Sequence, residues 1–200
     1  MHYVFFGEGT ASEGDFHAGL NFAAVKSSQT IFLCRNNDFA ISTNTENQYK
    51  GLGIAERGVG YNMQTYRIDG NDTFAIYHTI KEAKKFCLEG KGPVLIEAMT
   101  YRLGGHSTSD DPSVYRSSDE VDDKLQTCPM KRLRLYLEKH KLWDQDQEDQ
   151  ALKQVKEETD KAICVARKTP PPKPATIIED VYFEVPQKLK QQFNAIQGVY

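Results

Sequence analysis

The chain has 200 residues, is 39% hydrophobic and 26% charged, and carries a formal charge of −3. That profile fits one ordinary globular domain, or one large piece of a domain, and excludes a strongly basic nucleic-acid binder. No apolar run approaches the roughly 20 residues of a membrane-spanning helix, which argues against a role in the membrane. Cys34, Cys87, Cys128 and Cys164 lie far apart with no CxxC pair. They read as free thiols of a reducing compartment rather than as a disulfide framework or a zinc site.

No leader peptide is visible at the start, because Met1-His2 runs straight into Tyr3–Phe6, which reads as a buried strand. A domain rarely opens on a core strand, so the chain looks like the second half of something longer. Further short apolar runs follow at Thr30–Cys34, Thr65–Ile68 and Pro93–Ala98, with helical patterns over Ser12–Lys26 and Asp72–Glu89 between them. Strands separated by helices predict a layered α/β fold with a parallel sheet covered on both faces. Asp69-Gly70-Asn71-Asp72 reads as a strand-to-helix turn with Asp72 as the helix cap. This core is expected to span 1–123 and to end in a polar loop without apolar period, Tyr101–Asp123, whose 101–118 stretch holds candidate site residues; a loop that long is usually functional or disordered. Helices follow over 124–168, around Pro129–His140 and Asp146–Arg167. The second carries Leu152, Val155, Thr159, Ile163 and Ala166 as a stripe expected to pack on the core. A tail, 169–200, opens on a proline-rich linker, Lys168–Pro174, and continues through Thr176–Phe183 and Gln187–Phe193 as a subunit-contacting segment.

Chemistry concentrates at two strand ends. Glu8 follows the first strand, and Gly9 lets the backbone approach a ligand before a helix begins. In an open parallel sheet the carboxyl ends of the strands face the ligand, and the following helix N-terminus suits phosphate. Asn37 ends the second strand on the same rim. A carboxylate, an amide oxygen and the Phe39 carbonyl are hard oxygen donors suited to Mg²⁺ when a diphosphate completes the octahedron. Arg35 is placed to pair with that diphosphate. Taken singly, Glu8 could cap the helix near Ser12, Asn36-Asn37 could be a turn, and His106 could be a solvated loop residue.

Taken together, Gly7-Glu8-Gly9, Ser12-Glu13-Gly14-Asp15, Arg35-Asn36-Asn37, Ala40-Ile41-Ser42-Thr43, Asp69-Gly70-Asn71-Asp72, Glu97–Arg102 and His106–Asp111 resemble the alpha subunits of the 2-oxo acid dehydrogenases, the branched-chain group above all. The likeness covers nearly the whole chain. It implies a thiamine diphosphate-binding fold in which Glu8, Asn37 and the Phe39 carbonyl hold Mg²⁺. Gly9, Thr10, Arg35 and His106 would then meet the diphosphate, with His106 as the catalytic proton-handling residue and Tyr101 and Arg102 shaping its loop. It also implies a beta subunit in an α2β2 heterotetramer, a lipoyl-bearing acyltransferase core, a regulatory kinase and phosphatase acting at Ser107 and Ser117, and a mitochondrial matrix location. The reaction implied is oxidative decarboxylation of branched 2-oxo acids with acyl transfer to lipoamide. Two alternatives remain open: pyruvate or another 2-oxo acid as substrate, and a non-catalytic truncated interaction protein. Three positions depart from the family pattern. Gly105 stands where the branched-chain group carries a second histidine, Phe39 where tyrosine is usual, and Asp38 where glycine is common. Aspartate tolerates the left-handed backbone such a position needs.

Overall fold

A computed structural model describes residues 1–174, 176–179 and 181–196. Residues 1–143 form one compact unit and the residues from Asp144 onward a second. The first unit holds β1 (His2–Gly7), α1 (Gly14–Val25), β2 (Thr30–Asn36), β3 (Phe39–Ala40), β4 (Thr43–Asn44), α2 (Thr45–Gln48), α3 (Ala55–Val59), β5 (Gln64–Asp69), α4 (Thr73–Leu88), β6 (Val94–Met99), α5 (Ser118–Leu125) and α6 (Pro129–Lys139). The second holds α7 (Gln145–Lys168), α8 (Thr176–Glu179) and α9 (Gln187–Ile196).

Four strands make the expected parallel sheet, in the order β1-β2-β6-β5. Its central strands alternate their side chains between two apolar layers. On one face Cys34 and Leu95 pack with Phe16, Leu20 and Ile54. On the other, Ile31, Leu33, Val94, Ile96 and Ala98 pack with Ala83 and Cys87 of α4. Helices on both faces explain why β6 reads as an almost unbroken apolar run.

Local chemistry fixes the helix ends. Asp72 caps α4 as expected, accepting from Phe74 N at 2.9 Å and Ala75 N at 3.1 Å. The helix stops at Gly90, whose φ of +73° suits a residue without a side chain. Asp144 caps α7 by accepting from Gln147 N at 2.9 Å, and Arg167 and Lys168 in the last turn complement the helix dipole.

Several expectations need correction. Among the described residues β1 is an edge strand, with only β2 beside it. Tyr3 and Val4 are therefore exposed and Phe5 is 66% exposed, instead of lying buried. The polar loop is not structureless to its end, because α5 begins at Ser118 and its first turn is fixed by Ser117 and acidic residues rather than by apolar period. The hairpin β3–β4 and the short helices α2 and α3 had no periodic signal long enough to reveal them. Along α7 the stripe residues Leu152, Val155 and Ile163 are exposed. Of the tail, Ala175, Asp180 and residues 197–200 lie outside the described residues.

Leu95 lies fully buried at the centre of β6. Leu95→Ala should lower unfolding stability by about 2–5 kcal/mol, whereas Leu152→Ala should change it by less than about 0.5 kcal/mol. Urea titration of both variants checks the contrast.

Candidate metal and diphosphate site

The parallel register sets Gly7 opposite Arg35, so the polypeptide leaves β1 level with the tip of β2. Glu8 is only 1% exposed, and its Oε2 accepts from the backbone N–H of Asn37 at 3.0 Å. It does not cap α1: the residue at that cap is Glu13, which makes no side-chain capping bond. Asn37 Oδ1 accepts from Phe39 N at 3.3 Å, closing a tight turn whose central residue, Asp38, has φ +75°. Thr45 Oγ1 donates to the Asp38 carboxylate at 2.5 Å and holds that left-handed residue. Gly9 is needed for close approach, since a Cβ there would lie 2.9 Å from Ala40 Cβ.

The structure thus gathers Glu8, Gly9, Asn37 and Phe39. Thr10 opens the turn beyond Gly9 and is exposed, and Arg35 is exposed on the neighbouring strand tip. His106 is not brought into that group. Among the described residues its only hydrogen bond runs from its backbone N–H to Asp110 Oδ2, at 2.7 Å. Ser107 Oγ lies 3.1 Å from Ser109 Oγ, and Ser117 caps α5 by accepting from Glu120 N at 3.2 Å.

Charge balance separates two carboxylates near Cys34. Glu97, fully buried on β6, accepts from Asn36 Nδ2 at 2.7 Å and from the N–H groups of Ile54 and Ala55, each at 2.9 Å. Arg67 Nε approaches it at 3.8 Å. Glu8 receives one hydrogen bond, so among the described residues its Oε1 has none. Glu8 Oε1 is not one of the sealed, unpartnered side-chain atoms, which among the described residues are the Nε atoms of Arg102 and Arg116, so it opens onto the rim where a cation can meet it. The donor set of Glu8, the Asn37 amide and the Phe39 carbonyl is a hard-oxygen set, so these residues fit Mg²⁺. The Phe39 carbonyl already accepts from Arg102 Nη1 at 3.0 Å and would serve an ion through its second lone pair. Burial pushes the Cys34 thiol well up, and the charges of Glu97 and Glu8 push it further.

Sequence reasoning named Arg102 at this loop but missed Arg116 and the guanidinium clamp that the two arginines form beneath residues 101–118. Arg102 donates to Phe39 O, to Ile41 O at 2.5 Å and to the Tyr115 hydroxyl at 2.8 Å. Arg116, 7% exposed, donates to the carbonyls of Arg102, Leu103 and Gly104. Its guanidinium also lies 5.8 Å from the Phe39 ring centroid and 5.4 Å from that of Tyr101. The available signal was two arginines in a stretch rich in tyrosine, a pairing that favours stacking. Asn36 and Glu97 were also missed as partners; a lone acid inside an apolar strand was the clue.

A layered α/β protein with an acid–amide pair at adjacent carboxyl tips of a parallel sheet is the class these features define. Residues 1–175 match the family described as dehydrogenase E1 component, and the chain belongs to that family. It is 52% identical over 194 residues to the mitochondrial 2-oxoisovalerate dehydrogenase subunit alpha of Homo sapiens, covering 96% of this chain and 43% of that protein. The corresponding protein of Dictyostelium discoideum is 48% identical over 97% of this chain and 45% of its own length. The mitochondrial subunit alpha 2 of Arabidopsis thaliana is 40% identical over 94% and 40%. The chain therefore spans less than half the length of these curated relatives. Among the described residues, no helix is long and apolar enough to cross a membrane.

The His106 N–H, then the Tyr115 hydroxyl, hold the Asp110 carboxyl below its ordinary value of 3.8. Since the folded value is the lower one, ionised Asp110 stabilises the loop at every pH above 3.8, and that contribution is lost as pH falls through the folded value. Amide exchange of residues 103–110, corrected for intrinsic rates, should be flat from pH 8 to 5 and rise only below the free aspartate value. A rise near pH 6 would point to a histidine instead.

Proposed function

We propose that this chain carries the thiamine diphosphate- and Mg²⁺-binding part of the alpha subunit of a branched-chain 2-oxo acid dehydrogenase, a 3-methyl-2-oxobutanoate dehydrogenase. Its substrates would be 2-oxo acids of the 2-oxoisovalerate type, with the acyl group passing to lipoamide. The observation that carries this reading is Glu8, buried with a single hydrogen bond beside the Asn37 turn. The names of the relatives favour the branched-chain substrate and a mitochondrial location.

Bound thiamine diphosphate supplies a nucleophilic carbon for the 2-oxo group and a ring that takes up the electron pair released with carbon dioxide. This chain's residues would do the holding. Glu8, Asn37 and the Phe39 carbonyl would ligate Mg²⁺, and Gly9, Thr10 and Arg35 would line the diphosphate. His106, from the loop clamped by Arg102 and Arg116, would exchange a proton during acyl transfer, a task to which imidazole is suited. A beta subunit would complete the cofactor pocket in an α2β2 assembly, and a lipoyl-bearing acyltransferase core would receive the acyl group.

Regulation by a kinase and phosphatase at Ser107 and Ser117 fits the same loop. Phosphate adds about −1.5 to −2 charge. On Ser107 it would stand beside His106 and disorder the segment. On Ser117 it would sit at the start of α5, where the helix dipole favours it but Asp119 and Glu120 oppose it.

Glu8→Gln should weaken Mg²⁺-dependent thiamine diphosphate binding beyond the roughly 100-fold ceiling of changes outside the ligand set. Calorimetry on the assembled enzyme measures this, and unchanged binding would remove the metal assignment. Ser107→Glu should abolish acyl transfer to a lipoyl domain. Wild-type transfer by that variant would remove the regulatory role.

A further inference from the structure

Resting on the reading above, we infer that Glu97 is a positioning residue that sets the spacing between Glu8 and Asn37, using two arms that reach both strand tips. It lies one strand away from the nearer tip and touches neither side chain. Its effect would pass through groups it fixes.

The first arm runs through Asn36. A carboxylate only accepts, so Glu97 Oε1 forces the Asn36 amide nitrogen toward itself. The Asn36 oxygen is thereby turned to accept from Asp38 N, at 3.2 Å. That bond spans Asn37 and helps fix the left-handed Asp38, so the amide orientation dictates the path of the turn that presents Asn37. Tyr49 braces the same nitrogen, which donates to its hydroxyl at 3.3 Å.

The second arm runs through α3. Glu97 Oε2 accepts from both Ile54 N and Ala55 N, closing the start of that short helix. Gly53, with φ +141°, allows this approach, because a Cβ there would lie 2.7 Å from Glu97 Oε2. α3 then delivers Arg57, which donates to Ala11 O and lies 4.7 Å from the Tyr49 ring centroid. Ala11 N in turn donates to Glu8 O at 3.1 Å. The turn after Glu8 is thus held from the same carboxylate that orients the turn around Asn37.

Three proteins test this: Glu97→Gln, the double variant Asn36→Asp/Glu97→Gln, and Arg57→Met, each in the assembled enzyme. Glutamine keeps the shape but must point its amide nitrogen at another donor, either Asn36 or the Ile54 and Ala55 N–H groups. In the double variant the new amide at position 97 can donate to the new carboxylate at position 36 while still accepting from α3. That new carboxylate still accepts from Asp38 N. Calorimetry with Mg²⁺ and thiamine diphosphate should show Glu97→Gln weakened by about 10–100-fold, the range for groups that orient metal ligands. The double variant should recover to within about threefold of wild type, the scatter of near-additive changes. Without ligand, amide exchange at residues 37–39 and 10–12 should quicken in Glu97→Gln and return in the double variant. At saturating cofactor kcat should be nearly unchanged, separating positioning from chemistry.

Folded Glu97→Gln with wild-type affinity overturns the inference, and so does a double variant that recovers nothing. If Glu97→Gln does not fold, Arg57→Met decides: several-fold weaker binding with quickened exchange at 10–12 supports the inference, and wild-type behaviour overturns it. Failure of the wild-type enzyme to bind thiamine diphosphate would instead overturn the functional reading itself.

Discussion

Across the pairing of β1 with β2, Phe6 stands beside Cys34 and Gly7 beside Arg35, and this alignment sends Glu8 and the Asn37 turn into the same space. Strand side chains repeat every two residues, so slipping the pairing by one would move the strand's whole apolar set to the opposite face. It would also carry Glu8 out of reach of Asn37 N. Phe6, packed against Phe16 and the rest of the α1-side layer, holds that alignment through hydrophobic contact. The apolar core and the polar tips are therefore one constraint: the chemistry at the rim inherits its geometry from the layers below.

Burial then decides which charges are free to act. Glu97 is surrounded by donors and is consumed by structure, whereas Glu8 is nearly as buried and almost unattended. Above them the loop is held less by its own backbone than by Arg102 and Arg116, which fan out over carbonyls and stack near Phe39, Tyr101 and Tyr115. Because Arg102 grips the carbonyls of Phe39 and Ile41, the loop bearing His106 and the turn bearing the metal candidates are mechanically joined. Ile41 itself has φ +55°, an unfavourable backbone for a β-branched side chain, at the point where that grip closes.

The sheet was legible because buried parallel strands leave continuous apolar runs, and α1 and α4 because three or more turns carry a periodic signal. Asp72 was legible because a cap is local, and the left-handed backbone of Asp38 only through the resemblance, since glycine is common at that position in the family. Glu8 and Asn37 could be paired only because each ends a strand. What stayed hidden was set by partners distant in sequence. The exposure of β1 depends on its place at the sheet edge, which no residue within Tyr3–Phe6 encodes. Asn36 reads as half of a turn until Glu97, far along the chain, is laid beside it. Arg116 reads as an ordinary loop charge until three carbonyls fold over it. The start of α5 escaped because its signal is capping and acidity rather than an apolar stripe.

The setting of Cys34 has a consequence for sulfur chemistry. Nucleophilic attack by a thiol needs the thiolate, and this one is sealed in an apolar layer, with the charges of Glu97 and Glu8 disfavouring it further and Arg57 opposing them only in part. Electrophiles and mild oxidants should pass it by while the fold persists and react first at Cys164, which is exposed on α7. The order in which the four sulfurs become alkylated would then act as a clock for loosening of the sheet, with Cys34 marking the moment the strand tips come apart.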